Sequence, residues 1–284
     1  MTEQLLTVDR LTVTNNDGQD VVAGIGFGVA PGQTVGIVGE SGSGKSVTCK
    51  TVLGILPQQL RVTHGDVTLA GHRVLDYGFR EWRQLRGGVI SAVFQDPGSY
   101  LNPSVPVGRQ LATSLRVRYG LSRREAARRA SDLFAELGLG PESGVESKLP
   151  RELSGGMLQR SVLAIALSGE PSLLIADEVT TALDVSVQAQ VLDVLTRRQD
   201  ATGMGIVFVS HDLAVVASVC DTVLVMRDGH IVEAGPTSSV LADPQHEYTR
   251  LLISEHKRFG IERFTASEDS RDYVTAQVTA QATA

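Results

Sequence analysis

Residues Gly39, Glu40, Ser41, Gly42, Ser43, Gly44, Lys45 and Ser46 follow the pattern G-x-x-x-x-G-K-[ST]. They come directly after the apolar run TVGIV (34–38) and before KSVTCKTVLGIL, whose composition predicts a helix. Glycines at these positions let the backbone curl so that successive N–H groups point inward at phosphate oxygens. The helix that follows adds the unpaired N–H groups and positive dipole end of its first turn, where Val47 lies. Lys45 is placed to reach β- and γ-phosphates, and the Ser46 hydroxyl to ligate Mg²⁺. The chemistry this spacing predicts is the binding of a nucleoside triphosphate.

Further chemistry sits where apolar runs end. SLLIA (172–176) ends in Asp177 and Glu178, GVISAVF (88–94) in Gln95, and GIVFV (205–209) in Ser210, His211 and Asp212. In a parallel sheet the ligand lies beyond the carboxyl ends of the strands. There Asp177 can hold Mg²⁺, Glu178 can polarise an attacking water, and Gln95 can contact the metal or that water. His211 can hydrogen-bond a γ-phosphate and keep Glu178 and the water in line. Each feature alone also fits a plainer role: a carboxylate pair can be a turn or helix cap, and Ser-His-Asp a helix start. Their company in a chain with a phosphate loop favours the catalytic reading.

A second glycine motif, LSGGMLQR (153–160), opens another expected helix, with Ser154 as N-cap and Gly155 and Gly156 leaving the first N–H groups uncovered. One site has no need of two γ-phosphate cradles far apart in sequence. The economical explanation is that Ser154, Gly155 and Gly156 serve a nucleotide bound by another subunit.

The elements that must position these residues fall into three zones. Residues 1–95 read as β-type runs with glycine punctuation. From about 96 to 154, LATSLRVRYGLSRREAARRASDLFAELGL is helical in composition, and Leu133, Phe134, Leu137 and Leu139 close the run before GLGPESG. Residues 155–240 return to alternating helix and strand, with a helix near 185–199, which implies a parallel sheet covered on both faces. The middle zone thus reads as a helical insertion into an α/β core. After about residue 255 the chain turns polar and then Ala/Thr-rich, a tail expected to be poorly ordered.

Composition sets the outer limits. The chain has 284 residues, 42% hydrophobic and 20% charged, with a net charge of −6, as expected of a soluble intracellular α/β protein. No run approaches the roughly 18 apolar residues of a membrane span, and MTEQLLTVDRLTV predicts no secretory signal. The two cysteines, Cys49 and Cys220, cannot make a disulfide framework. The net negative charge argues against a dedicated nucleic-acid binder. The arginines at 116, 118, 123, 124, 128 and 129 are expected on a solvated face, part of which contacts a partner. Cys49 and Trp82 are expected to be packing residues.

Together these segments resemble the nucleotide-binding subunits of ABC transporters. GESGSGKS looks like the Walker A loop, Gln95 like the Q-loop residue, LSGGMLQR like the signature and LLIADE like Walker B. TALD (181–184) looks like the D-loop, with Asp184 its aspartate, and His211 like the switch histidine. The resemblance implies a P-loop NTPase (RecA-like) α/β fold with an antiparallel β portion, a cassette over 1–250 and a helical insertion at about 96–154. FQDPGSYLNPSVPVGRQL, ADEVTTALDVSVQAQVLDVL and PTSSVLADPQHEYTRLL are similar to the oligopeptide, dipeptide and nickel importers. That implies a C-terminal extension over 236–265, followed by a flexible tail at 266–284.

ATP and Mg²⁺ are the implied ligands. Two permease subunits, a homologous (paralogous) ATP-binding subunit and, indirectly, an extracytoplasmic substrate-binding protein are the implied partners, with no nucleic acid. The implied place is the cytoplasmic face of a bacterial plasma membrane. Competing expectations are a non-transport ABC ATPase and a subunit that binds ATP with little hydrolysis. Two departures stand out: Val179 replaces the proline usual after Walker B, and LTVTNNDG offers Thr14 and Asn15 where the family has an aromatic for adenine. Aliphatic Val22 is then a candidate for stacking.

Overall fold

The computed structural model describes residues 4–180 and 183–257. Thr181 and Ala182 of TALD and the expected flexible tail lie outside them. The chain divides into two compact units, the first formed by residues up to Arg83 and from Gly205 onward, the second by Gln84–Met204.

The first unit opens with two ten-residue strands, β1 (Leu6–Asn15) and β2 (Asp20–Val29), paired antiparallel. β3 (Thr34–Val38) is buried at every residue. The phosphate-loop sequence follows it, then α1 (Lys45–Val52). The helix is shorter than the apolar pattern suggested: Gly54, with φ 62°, turns the chain, and the Ile55 N–H closes back on the Lys50 carbonyl. β4 (Leu60–Leu69) and β5 (His72–Arg73) complete an antiparallel sheet in the order β2-β1-β4-β5. α2 (Phe79–Leu85) follows; its Trp82 is buried and meets Tyr77 edge to face, the packing role expected of it.

In the second unit β6 (Ile90–Val93) pairs in parallel with β7 (Leu173–Asp177), the last register pair being Val93 with Ala176. Between them run α3 (Val107–Tyr119), α4 (Arg123–Glu136) and α5 (Gly155–Leu167). The long helical stretch is broken in two because Gly120 ends α3 in the left-handed conformation and Ser122 starts α4. Ser122 and Glu125 form a capping box, each satisfying a backbone N–H of the other's end. Leu111, Leu115, Ala126, Ala130 and Phe134 fill the space among these helices. α6 (Val185–Thr202) closes the unit.

The chain returns to the first unit with β8 (Gly205–Val209), α7 (Leu213–Val219), β9 (Thr222–Arg227), β10 (His230–Pro236), α8 (Thr237–Ala242) and α9 (Glu247–Lys257). β3 lies between β8 and β9 and is parallel to both. β10 departs from the expected parallel sheet: it pairs antiparallel with β9. Asp228 and Gly229 both have positive φ, 48° and 80°, the geometry of a tight hairpin turn.

Candidate functional site

The phosphate loop leaves β3 through Gly39, whose φ is 148°. A Cβ there would stand 2.1 Å from the Met226 carbonyl oxygen, so only glycine fits. Gly44, the N-cap of α1, has φ 101°, and a Cβ on it would meet the Val21 carbonyl at 2.9 Å. The loop is thus gripped from β2 and from the end of β9. Lys45 is buried, and its ammonium donates to the Gly39 and Glu40 carbonyls at 2.7 Å each. That draws the loop around the lysine. Ser41, Gly42 and Ser46 are exposed, whereas Ser43 is buried and its carbonyl accepts from the Gly229 N–H. Gly44 at the N-cap makes no side-chain cap bond to α1, and a helix start favours a nearby anion. The cradle therefore fits a phosphate chain.

His211 follows β8. Its neighbours are committed to the chain turn: the Ser210 hydroxyl accepts from the Asp212 N–H, and the Asp212 carboxylate accepts from Ala214 and Val215 at the start of α7. The helix-start reading therefore holds for Ser210 and Asp212, and His211 is presented to solvent.

In the second unit Asp177 is buried at the end of β7, and Glu178 stands half-buried beyond it. Glu178 has φ 53°, a left-handed conformation that costs a non-glycine residue about 1 kcal/mol or more. Gln95 and Glu178 each lie two residues past the last β6–β7 pair, so the parallel register sets them side by side. The Gln95 amide donates to a Glu178 carboxylate oxygen at 2.7 Å. Beside them the Phe94 and Tyr100 rings stack at 5.2 Å. Val179 is buried.

The signature segment caps α5 as expected: the Ser154 hydroxyl accepts from the Met157 N–H at 3.3 Å. Gly155 is exposed, and nothing described lies within 4 Å of a Cβ built on it. Arg160 anchors the helix by donating to the Leu137 and Gly138 carbonyls at the end of α4. Asp184 is the N-cap of α6; bonds from the Val187 N–H and the Ser186 hydroxyl hold its carboxyl below the ordinary range.

The adenine candidates take structural roles instead. Val22 is fully buried against the loop at Gly44, and Thr14 is buried with its hydroxyl bonded to Asp20 and Thr63. The Asn15 amide oxygen accepts from Asp17 and Gln19 within its turn. Val22 and Thr14 are buried and present no open face to a base, while Asn15 is half-buried in the β1–β2 turn. The arginine run is partly solvated as expected, but Arg118 and Arg129 sit over the Tyr119 ring and Arg129 pairs with Glu170. Cys49 is buried, in keeping with packing.

Sequence reasoning missed one contact to the loop. The Tyr248 hydroxyl, from α9, accepts the Glu40 N–H at 3.0 Å. The segment HEYTRLL stood out in the sequence, but only as a mark of family branch.

The sequence matches the ABC transporter family over residues 22–181. The chain belongs to that family. It is 40% identical to the probable D,D-dipeptide transport ATP-binding protein DdpD of Escherichia coli, over 93% of this chain and 81% of the relative. It is 41% identical to the dipeptide transport ATP-binding protein DppD of Lactococcus lactis subsp. cremoris, over 88% of this chain and 73% of the relative. Among solved structures, a dimeric ATP-binding cassette in a post-hydrolysis state with ADP and Pi matches with a TM-score of 0.74 at 25% identity, covering 82% of this chain and 98% of that one. CbiO1 of Clostridium perfringens, part of the transporter complex cbiONQ, matches with a TM-score of 0.72 at 27% identity, over 91% and 98%. This ABC cassette has the α/β fold of those structures and is an ATP-hydrolysing enzyme. Among its described residues no helix is long and apolar enough to cross a membrane.

Proposed function

We propose that this ABC cassette is the ATPase subunit of a bacterial importer for small peptides, acting at the cytoplasmic face of the membrane. It would work beside two permease subunits, a paralogous cassette and an extracytoplasmic binding protein. The peptide assignment is supported by the names of relatives about 40% identical over most of both chains. The proposed layout is a cassette over 1–250, a helical insertion at about 96–154 and an extension at 236–265.

In this reading the loop N–H groups of residues 39–47 and the Lys45 ammonium hold the phosphates. Glu178 accepts a hydrogen bond from the attacking water, and Gln95 orients that carboxylate. His211 donates to the γ-phosphate. Positioning and charge stabilisation account for the catalysis. Ser46, Asp177 and Gln95 are the proposed Mg²⁺ ligands, all offering the hard oxygen donors that this ion takes. Bound Mg²⁺ would neutralise charge on the phosphates. Ser154, Gly155 and Gly156 would face the nucleotide of the partner cassette, and Asp184 is a further proposed nucleotide-site residue.

The single observation that carries the reading is the exposed Gly155. Nothing described in this chain requires its missing Cβ, whereas a phosphate brought up by another subunit would. The assembled transporter in lipid vesicles tests the peptide assignment. ATP turnover and uptake should both rise when the binding protein is supplied with dipeptides. Uptake of Ni²⁺ with indifference to peptides would contradict it.

A further inference from the structure

Glu40, the second residue of the phosphate loop, is held from both sides. Its carbonyl accepts from the Lys45 ammonium at 2.7 Å, while its N–H is turned away and donates to the Tyr248 hydroxyl at 3.0 Å. Tyr248 lies more than two hundred residues later, in α9. Its side chain is among the largest fully buried ones, 1% exposed, with the Arg227 guanidinium 4.9 Å from the ring centre.

The start of α9 is fixed in turn. The two carboxylate oxygens of Glu233, in β10, accept the Gln245 and His246 N–H groups at 2.8 and 3.0 Å, and the His246 ring accepts from the Tyr248 N–H at 3.2 Å. A continuous chain of bonds therefore runs from β10 through α9 to the loop and on to its lysine.

We propose that Tyr248 is a positioning residue for nucleotide binding: its hydroxyl fixes the planar Gly39–Glu40 peptide and, through the Gly39 carbonyl of that same peptide, the Lys45 ammonium that would meet the phosphates. The inference rests on the phosphate-loop reading of the proposed function. Its physical basis is that a loop whose N–H groups must converge needs each remaining N–H committed elsewhere. Loss of the hydroxyl leaves the Glu40 N–H without its acceptor and frees the loop to turn. The segment after β10 thereby sets the affinity of a loop distant in sequence.

Tyr248→Phe keeps the ring and removes only the oxygen. Titration of the purified chain with ATP should show affinity weakened about three- to tenfold, the worth of one hydrogen bond. The KM for ATP should rise by a similar factor while kcat changes less than twofold. Hydrogen exchange at the Glu40 amide should quicken without a matching change along α9. ATP affinity within twofold of wild type overturns the inference, as does uniformly faster exchange with KM and kcat both impaired, which would mean a structural role only. A wild-type chain that fails to bind ATP removes the proposed function, and this inference falls with it.

Discussion

At the scale of single residues, the proposed mechanism rests on two observed features, the Gly39–Lys45 curl and the Gln95–Glu178 contact. Glu178→Gln keeps the shape and the neighbour but loses the charge that, in the proposed mechanism, draws a proton from water. ATP binding should stay within a fewfold of wild type while turnover falls at least about a hundredfold, as for loss of a general base. Binding titration and phosphate release measured side by side check both halves. Gly39→Ala would drive a methyl into the Met226 carbonyl. It should cost about 2–3 kcal/mol of stability, measurable by urea unfolding. The proposed site residues stood out in the sequence because the phosphate loop has a spacing with few other uses. The strand-end polar residues took their meaning from its company, and Ser210 and Asp212 turned out to start a helix. The left-handed Glu178 and the Tyr248 contact did not stand out. The first depends on a backbone angle that glutamate does not advertise, and the second joins residues that only the folded chain brings together.

At the scale of elements, the register of β6 on β7 places Gln95 beside Glu178, and side-chain caps at Ser154, Asp184 and Asp212 fix the starts of α5, α6 and α7. Ser154→Ala removes a bonded N-cap and should lower stability by about 1 kcal/mol. Gly155→Ala meets nothing described in this chain. It should leave thermal unfolding of the isolated chain within experimental scatter, yet suppress ATP turnover in the paired assembly. Full turnover in that variant would contradict the assignment of this helix start to a partner's nucleotide. Two caps also carry a pH dependence. Bonds from the Ser122 side chain and backbone hold Glu125 below its ordinary 4.5, and those from Val187 and Ser186 hold Asp184 below 3.8. A depressed carboxylate contributes stability that is fully present above its unfolded pKa and lost as pH falls through the folded one. Unfolding midpoints should therefore be insensitive to these groups above about pH 5 and decline below pH 4. Glu125→Gln should flatten part of that decline.

At the scale of the whole molecule, the proposed site residues are divided between the two units: phosphate loop and His211 in one, Gln95, Asp177, Glu178 and the signature in the other. The α/β class was readable from the alternation of strands and helices, and the helical middle zone from its periodicity. The β9–β10 hairpin was not drawn from the sequence, although Asp228-Gly229 is the residue pair such a turn favours. The break of the helical stretch at Gly120 and Ser122 likewise needed its capping box to be recognised. The packing of Thr14 and Val22 could not be read locally, because burial there depends on the loop above Val22 and on β4 beside Thr14.

We propose that this chain hydrolyses ATP through sites completed by a second cassette. The most direct test is ATP turnover by the purified chain across a range of protein concentrations, with the paralogous cassette added in a parallel series and Glu178→Gln as the control. Turnover per molecule should rise with cassette concentration, be highest with the paralogue present, and collapse in the variant. Turnover independent of concentration and partner, or equal in Glu178→Gln, would contradict it.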